Sequence, residues 1–139
     1  MRAFLLVEDG DAMALAFRLA VEQACIPVVV DRVSNGEEAM EYLYAAQQAP
    51  DVVFLDLNMP KTDGWGVLRA MKADDRLCHT AVVVLTSSSR RADKEQAYLL
   101  GADQFLVKPA TLSGLVDEIE AVYRRFVDGN ANSAASGGG

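Results

Sequence analysis

Cysteine, histidine and long apolar runs are scarce in this 139-residue chain, and each scarcity removes a class of function. The two cysteines, Cys25 and Cys78, form no metal-ligand spacing. They argue against a disulfide framework or a cysteine-based zinc site, and fit reduced, mostly buried thiols in a cytoplasmic protein. The single histidine, His79, stands before a strand and has no catalytic partner, so no imidazole chemistry is expected. No apolar stretch reaches the roughly 18 residues of a membrane span. The opening MRAFLLVEDG has too short an apolar run for a signal peptide, with acids where a cleavage site would fall, so no membrane partner is expected. Basic residues are also outnumbered, 13 Lys and Arg against 20 Asp and Glu, for a net charge of −7. Such a surface repels phosphate backbones, which argues against direct nucleic-acid binding and favours a cation or a basic protein surface as partner.

What remains is 51% hydrophobic and long enough for one domain with a real core. Continuous Val/Leu/Phe runs predict strands at 3–7, 28–33, 52–55, 81–85 and 104–107, of the kind covered on both faces by helices. Between them, apolar residues at helical spacing predict helices at 11–24, 37–47, 64–73 and 90–100, the last stopped by Gly101. A fifth helix shows one stripe of Leu112, Leu115, Val116, Ile119, Val122 and Phe126. Five strands each followed by a helix make an α/β three-layer sandwich around a parallel sheet. The domain is expected over 1–127. Residues 128–139, DGNANSAASGGG, lack core-forming side chains and read as a disordered tail or as residues added to the natural chain.

In such sheets ligands sit outside the carboxyl ends of the strands. The first strand ends in Glu8-Asp9, the third in Asp56, the fourth in Thr86-Ser87 and the fifth in Lys108-Pro109. The second ends in Ser34-Asn35-Gly36, an ordinary turn and helix start. Any one of these acids or hydroxyls could simply cap a helix. Together they bring three carboxylates, a hydroxyl and an ammonium to one edge. The carboxylates should repel one another and raise at least one pKa unless a cation intervenes. Oxygen ligands without His or Cys suit a hard ion such as Mg²⁺. Lys108 can pair with Asp56 at rest and with an added anion later, to which Thr86 can also donate. The implied chemistry is phosphoryl transfer to a carboxylate, with Asp56 as nucleophile.

Glu8-Asp9, then FLDLNMPKTDG, VVVLTSS and GADQFLVKP, in this order, resemble the receiver domain of two-component response regulators, over about residues 2–127. The resemblance implies a flavodoxin-like doubly wound sheet of order 2-1-3-4-5. It also implies a phosphorylation-switched signalling protein, not an enzyme, that catalyses only its own phosphorylation and dephosphorylation. Asp56 would accept a phosphoryl group from a phosphohistidine on a histidine kinase or histidine phosphotransfer protein. Asp9, Asp56 and the backbone carbonyl of Asn58 would bind Mg²⁺ directly and Glu8 largely through water, with Mn²⁺ or Ca²⁺ able to substitute. Thr86 and Lys108 would hold the phosphoryl oxygens, with Ser87 lining the access route. Thr86 and Phe105 would form the switch, and the Lys108-Pro109 bond would be cis. Met59-Pro60 and Asp63-Gly64 would shape the loop over the site, Gly64 being free to take positive φ. The LTSS…D…Y…LGA…F stretch is similar to regulators that partner bacterial phytochromes, which points to a bacteriophytochrome kinase and to a homodimer through the fourth helix, fifth strand and fifth helix. A layout with no output module resembles stand-alone receivers.

Some positions carry two readings. Phe105 stands where receivers often have Tyr, and is either a switch ring or strand-edge packing. Met13, Leu15, Phe17, Leu19 and Val21 cannot all face the sheet, so the first helix offers either a donor-docking surface or an extra burial or dimer contact. Arg90 and Arg91 open the fourth helix against its dipole, as a solvated helix end beside Asp93 and Glu95 or as part of an output face. Trp65 is expected to be partly exposed near the site. Three other functions compete. A phosphatase of the haloacid-dehalogenase type needs a second Asp two residues after its nucleophile, where this chain has Asn58, which cannot donate a proton as a general acid. A flavodoxin-like cofactor binder would not present VEDGDAM to a phosphate. A phosphorylation-independent pseudo-receiver is not favoured, because every acid, hydroxyl and lysine position is filled.

Overall fold

Successive residues of the three central strands face opposite sides of one sheet, and both sides are buried. The structure, a computed structural model, describes residues 2–58 and 64–128. Its strands are β1 (Arg2–Val7), β2 (Val28–Val33), β3 (Val52–Leu55), β4 (Ala81–Thr86) and β5 (Gln104–Val107). The helices are α1 (Asp11–Ala24), α2 (Gly36–Ala45), α3 (Gly64–Ala73), α4 (Arg91–Leu99) and α5 (Leu112–Tyr123), the last continuing as a π-type turn over Arg124–Asp128. All pairings are parallel and the order is β2-β1-β3-β4-β5, as the resemblance implied.

Strand parity divides the core in two. Phe4, Leu6, Val52, Phe54, Val83 and Leu85 pack with α1 and α5 through Phe17, Ala20, Leu115 and Ile119. Leu5, Val7, Val53, Leu55, Val82 and Val84 pack with α2, α3 and α4 through Leu43, Leu68, Met71 and Ala97. Phe54 is the aromatic centre, edge-on to Phe4 at 5.1 Å and to Phe17 at 4.8 Å between centroids. Pairs of this geometry add about 0.5–1.5 kcal/mol each beyond their buried area. β2 departs from the expectation of strands covered on both faces: as an edge strand it is only half-buried, and Val29 is exposed.

The helix ends follow local chemistry. Asn35 accepts the Glu38 N–H at 2.9 Å while Glu38 accepts the Ser34 N–H at 2.8 Å, so α2 starts one residue earlier than the spacing suggested. It also ends two residues earlier, because Ala46 turns to extended backbone. Arg90 is the extended cap of α4, and Leu100 and Gly101 close that helix. Gly101 takes φ +103° and donates to Tyr98, while Ala102 donates to Ala97, a Schellman closure. Arg90 lies 3.9 Å from Asp93, as a solvated helix end would have it. On α1, Phe17 and Val21 are buried and Leu15 and Leu19 are 59% and 41% exposed, so the apolar residues do span more than one face.

Two expectations are corrected. Gly101 is the only glycine with positive φ among the described residues, so Gly64 does not need that freedom. Gly64 is required for space instead: a Cβ there would lie 2.4 Å from the Asp56 carbonyl oxygen and 2.8 Å from Leu57 Cα. The thiols are not mostly buried, since Cys25 is exposed at the end of α1 and Cys78 is half-buried. The last helical turn runs through Asp128. The remaining tail, Met59-Pro60 and Asp63 lie outside the described residues.

Gly64→Ala should therefore lower the unfolding free energy by about 1–3 kcal/mol, since rigid backbone must move. Gly66→Ala, with nothing within 4 Å of its added Cβ, should be neutral or raise it by up to about 1 kcal/mol. Urea denaturation of both variants measures the contrast.

Candidate functional site

The ladders of β1, β3 and β5 each run one residue past the strand, and those extra residues carry the site's charged groups. The Glu8 N–H donates to the Val33 carbonyl at 3.0 Å, that of Asp56 to Val7 at 3.2 Å, and that of Lys108 to Thr86 at 2.8 Å. Main-chain bonds to a neighbouring strand thus fix the side chains that meet above the sheet.

Lys108 Nζ lies 2.7 Å from Glu8 Oε1 and 2.9 Å from Asp56 Oδ2. Both carboxylates are buried. Asp56 Oδ1 accepts the Asn58 N–H at 3.0 Å, and Glu8 Oε2 accepts the Gly10 N–H at 2.9 Å. Burial pushes the Glu8 carboxyl above its ordinary range. The Lys108 bond and the Gly10 N–H offset part of that rise, and the Asp56 charge adds to it. For Lys108 burial acts downward as the largest single influence. The two carboxylate bonds together outweigh it, and the ammonium is held above its ordinary value.

Asp9 is exposed at the rim, yet one oxygen each of Glu8, Asp9 and Asp56 lie within 4.8 Å of one another. This oxygen-only set, two buried and one open to solvent, fits a hard divalent cation that keeps some of its waters. Across the site Thr86 is fully buried, and its Oγ1 accepts from Asn58 Nδ2 at 3.3 Å and from the Ser88 N–H at 3.4 Å. Ser87 is exposed at the end of β4. His79 is exposed at the opposite end of the sheet, where it lines a cleft of about 520 Å³ with Arg2, Asp51 and Arg76.

Comparison with known proteins agrees with this geometry. Residues 4–120 match the family described as response regulator receiver domain. The chain belongs to this family. It is 32% identical over 130 residues to a probable methanogenesis regulatory protein, FilR2, of Methanothrix harundinacea, a match covering 91% of this chain and 84% of that one. It is 36% identical to the probable transcriptional regulator ycf27 of Guillardia theta, covering 87% of this chain but spanning only 45% of ycf27. Among solved structures, the phosphorylated cyanobacterial phytochrome response regulator RcpA superposes with a TM-score of 0.82 at 34% identity, covering 91% and 94% of the two chains. RPA3017, from red light signaling in R. palustris, gives 0.85 at 30% over the same shares. The Mn²⁺-bound response regulator Rcp1 gives 0.80 at 29%, over 89% and 93%. As a receiver domain, the chain is a phosphoacceptor of two-component signal transduction.

In this receiver the structure brings Glu8, Asp9, Asp56, Asn58, Thr86 and Lys108 together, as the strand ends required. Phe105 is buried in the core cluster beside α4, and its N–H donates to the Tyr98 hydroxyl at 3.1 Å. The Lys108-Pro109 bond departs from expectation: no peptide among the described residues is cis. Trans is the lower-energy isomer of an X-Pro bond by about 0.5–1 kcal/mol. Lys108 reaches both carboxylates with that bond trans. Sequence reasoning missed Arg32, whose Nε donates to the Glu8 carbonyl at 2.9 Å. Its signal was available, because an arginine stands in an otherwise apolar-and-acid strand, VVVDRV.

Glu8→Gln tests the electrostatics, because a glutamine mimics the protonated acid. A carboxyl whose pKa rises on folding is least costly when protonated. The wild type should therefore match the variant below about pH 4.5 and lose stability relative to it as pH climbs through the raised value. Thermal unfolding of both proteins without divalent ions, across that range, measures this.

Proposed function

We propose that Asp56 is the phosphoacceptor. The observation that carries this reading is its buried carboxylate, fixed between the Lys108 ammonium and the Asn58 N–H and beside Glu8 and Asp9. An oxygen of Asp56 attacks the phosphorus of a phosphohistidine, the P–N bond breaks, and the donor imidazole leaves with the electron pair. Water later hydrolyses the acyl phosphate, so the chain's own catalysis is limited to gaining and losing its phosphoryl group. Glu8, Asp9, Asp56 and the carbonyl of Asn58 would hold Mg²⁺, Glu8 largely through water, and Mn²⁺ or Ca²⁺ could take its place. When bound, the ion neutralises phosphoryl oxygens and aligns the in-line attack. The Mn²⁺ named for Rcp1 supports a divalent site here.

Lys108 then transfers from the carboxylates to a phosphoryl oxygen, and Thr86 exchanges its Asn58 and Ser88 partners for another. Ser87 lines the entry. The movement of Thr86 draws on Phe105, remodelling the face of α4, β5 and α5, where Tyr98, Leu99 and Val107 are exposed. That face is the proposed partner or homodimer surface. The donor is a histidine kinase or histidine phosphotransfer protein, docking on Leu15 and Leu19 of α1. A bacteriophytochrome is the proposed kinase, supported by the likeness to RcpA and RPA3017. A single domain over 1–127 in the cytoplasm completes the proposal.

Intact-protein mass after incubation with acetyl phosphate tests it. One phosphoryl group should add only with Mg²⁺ present, and not to Asp56→Ala. Lys108→Ala should keep some acceptance yet lose the accompanying conformational change. An adduct indifferent to Asp56, or none, would favour a phosphorylation-independent binding module.

A further inference from the structure

Glu8 is pinned at every polar atom, and Arg32 supplies the one bond that comes from neither the sheet ladder nor the site. Arg32 lies on β2 in register with Leu6. Its Nε donates to the Glu8 carbonyl oxygen at 2.9 Å, and its Nη1 lies 2.9 Å from Asp11 Oδ1. The neighbouring Val33 accepts the Glu8 N–H at 3.0 Å. Two consecutive residues of β2 therefore hold both main-chain groups on either side of Glu8.

The held carbonyl belongs to the Glu8–Asp9 peptide, and a peptide is planar. Fixing its oxygen fixes the direction in which the chain enters Asp9, the rim ligand. Asp9 itself is exposed. The ion pair has a second effect. Asp11, whose side chain is 95% exposed, lies two residues beyond Asp9 at the start of α1, while the Arg32 side chain is only 21% exposed. A surface pair of this kind contributes little stability. It does engage a fourth nearby carboxylate, and Asp11 is absent from the group of acids converging above β3.

We propose that Arg32 is a positioning residue for the divalent-ion site: its guanidinium fixes the Glu8–Asp9 peptide and diverts Asp11 from the three converging carboxylates. This deepens the metal-site reading given above and rests on it. Outer partners that orient metal ligands typically affect affinity by about 10–100-fold. The sign of the effect separates positioning from charge. A cation near a metal site repels the metal, so an arginine acting only through charge would weaken binding, and its removal would tighten it.

The test is Mg²⁺ titration by calorimetry of the wild type, Arg32→Met, Arg32→Lys and Asp11→Asn, with thermal unfolding alongside. Arg32→Met should bind Mg²⁺ at least about tenfold more weakly. Arg32→Lys keeps the charge but not the two-pronged geometry, so it should also lose affinity, and it serves if the methionine variant fails to fold. Asp11→Asn keeps the carbonyl bond and should lose less than either. Tighter binding by Arg32→Met would overturn the inference in favour of charge alone. Lowered thermal stability with unchanged Mg²⁺ affinity in both Arg32 variants would overturn it in favour of a structural role. If the wild type bound no Mg²⁺, the metal-site reading would fall first and this inference with it.

Discussion

One ammonium group holds two buried carboxylates together. Lys108 bridges Glu8 and Asp56, which come from strands on either side of the point where the chain reverses its order across the sheet. Removing the lysine would leave two buried carboxylates without compensation, a loss that typically costs about 3–5 kcal/mol. The acids could not be delivered so close without that lysine or a metal. In the proposed mechanism, the ammonium that neutralises the carboxylates at rest is the group that later follows an incoming phosphoryl group.

The fold serves this constraint through its ladders. Glu8, Asp56 and Lys108 each extend a strand by one main-chain bond, so the sheet's register sets their separation. The aromatic cluster around Phe54 and the aliphatic layer beneath α2 and α3 make β1, β3 and β4 rigid on both faces. Gly64 lets the start of α3 approach the Asp56 carbonyl. Stiffness at the acids contrasts with Thr86, whose hydroxyl, among the described residues, makes two long bonds, to Asn58 and Ser88. The switch role proposed for Thr86 draws on that contrast.

Much of this was legible in the residues. β2, β3 and β5 begin and end where predicted, and α1 and α3 match their spacing: β3, buried on both faces, leaves a continuous apolar run, and a helix buried on one face leaves a helical stripe. The acids, Thr86 and Lys108 were legible because chemistry at one strand end is ordinary but at four of five it is not. The contacts of Arg32 with Glu8 and of Tyr98 with Phe105 were not, since they depend on which side-chain tips meet once strands and helices are stacked. Gly64 was read as a residue needing unusual backbone angles, when its need is for space that only the packed structure reveals. The exposure of Val29 escaped notice because an edge strand of valines reads like a central one. The Lys108-Pro109 isomer came from likeness to other receivers, and this structure does not follow it.

Mg²⁺ affinity of Lys108→Met, measured by calorimetry against the wild type, tests the cation-exchange account most directly. If the ammonium occupies the carboxylates in place of a metal, removing it leaves two uncompensated charges and one fewer repelling cation. Mg²⁺ should then bind more tightly, by about tenfold or more. Equal or weaker binding would contradict the account, and would mean that Lys108 organises the acids for the metal instead of standing in for it.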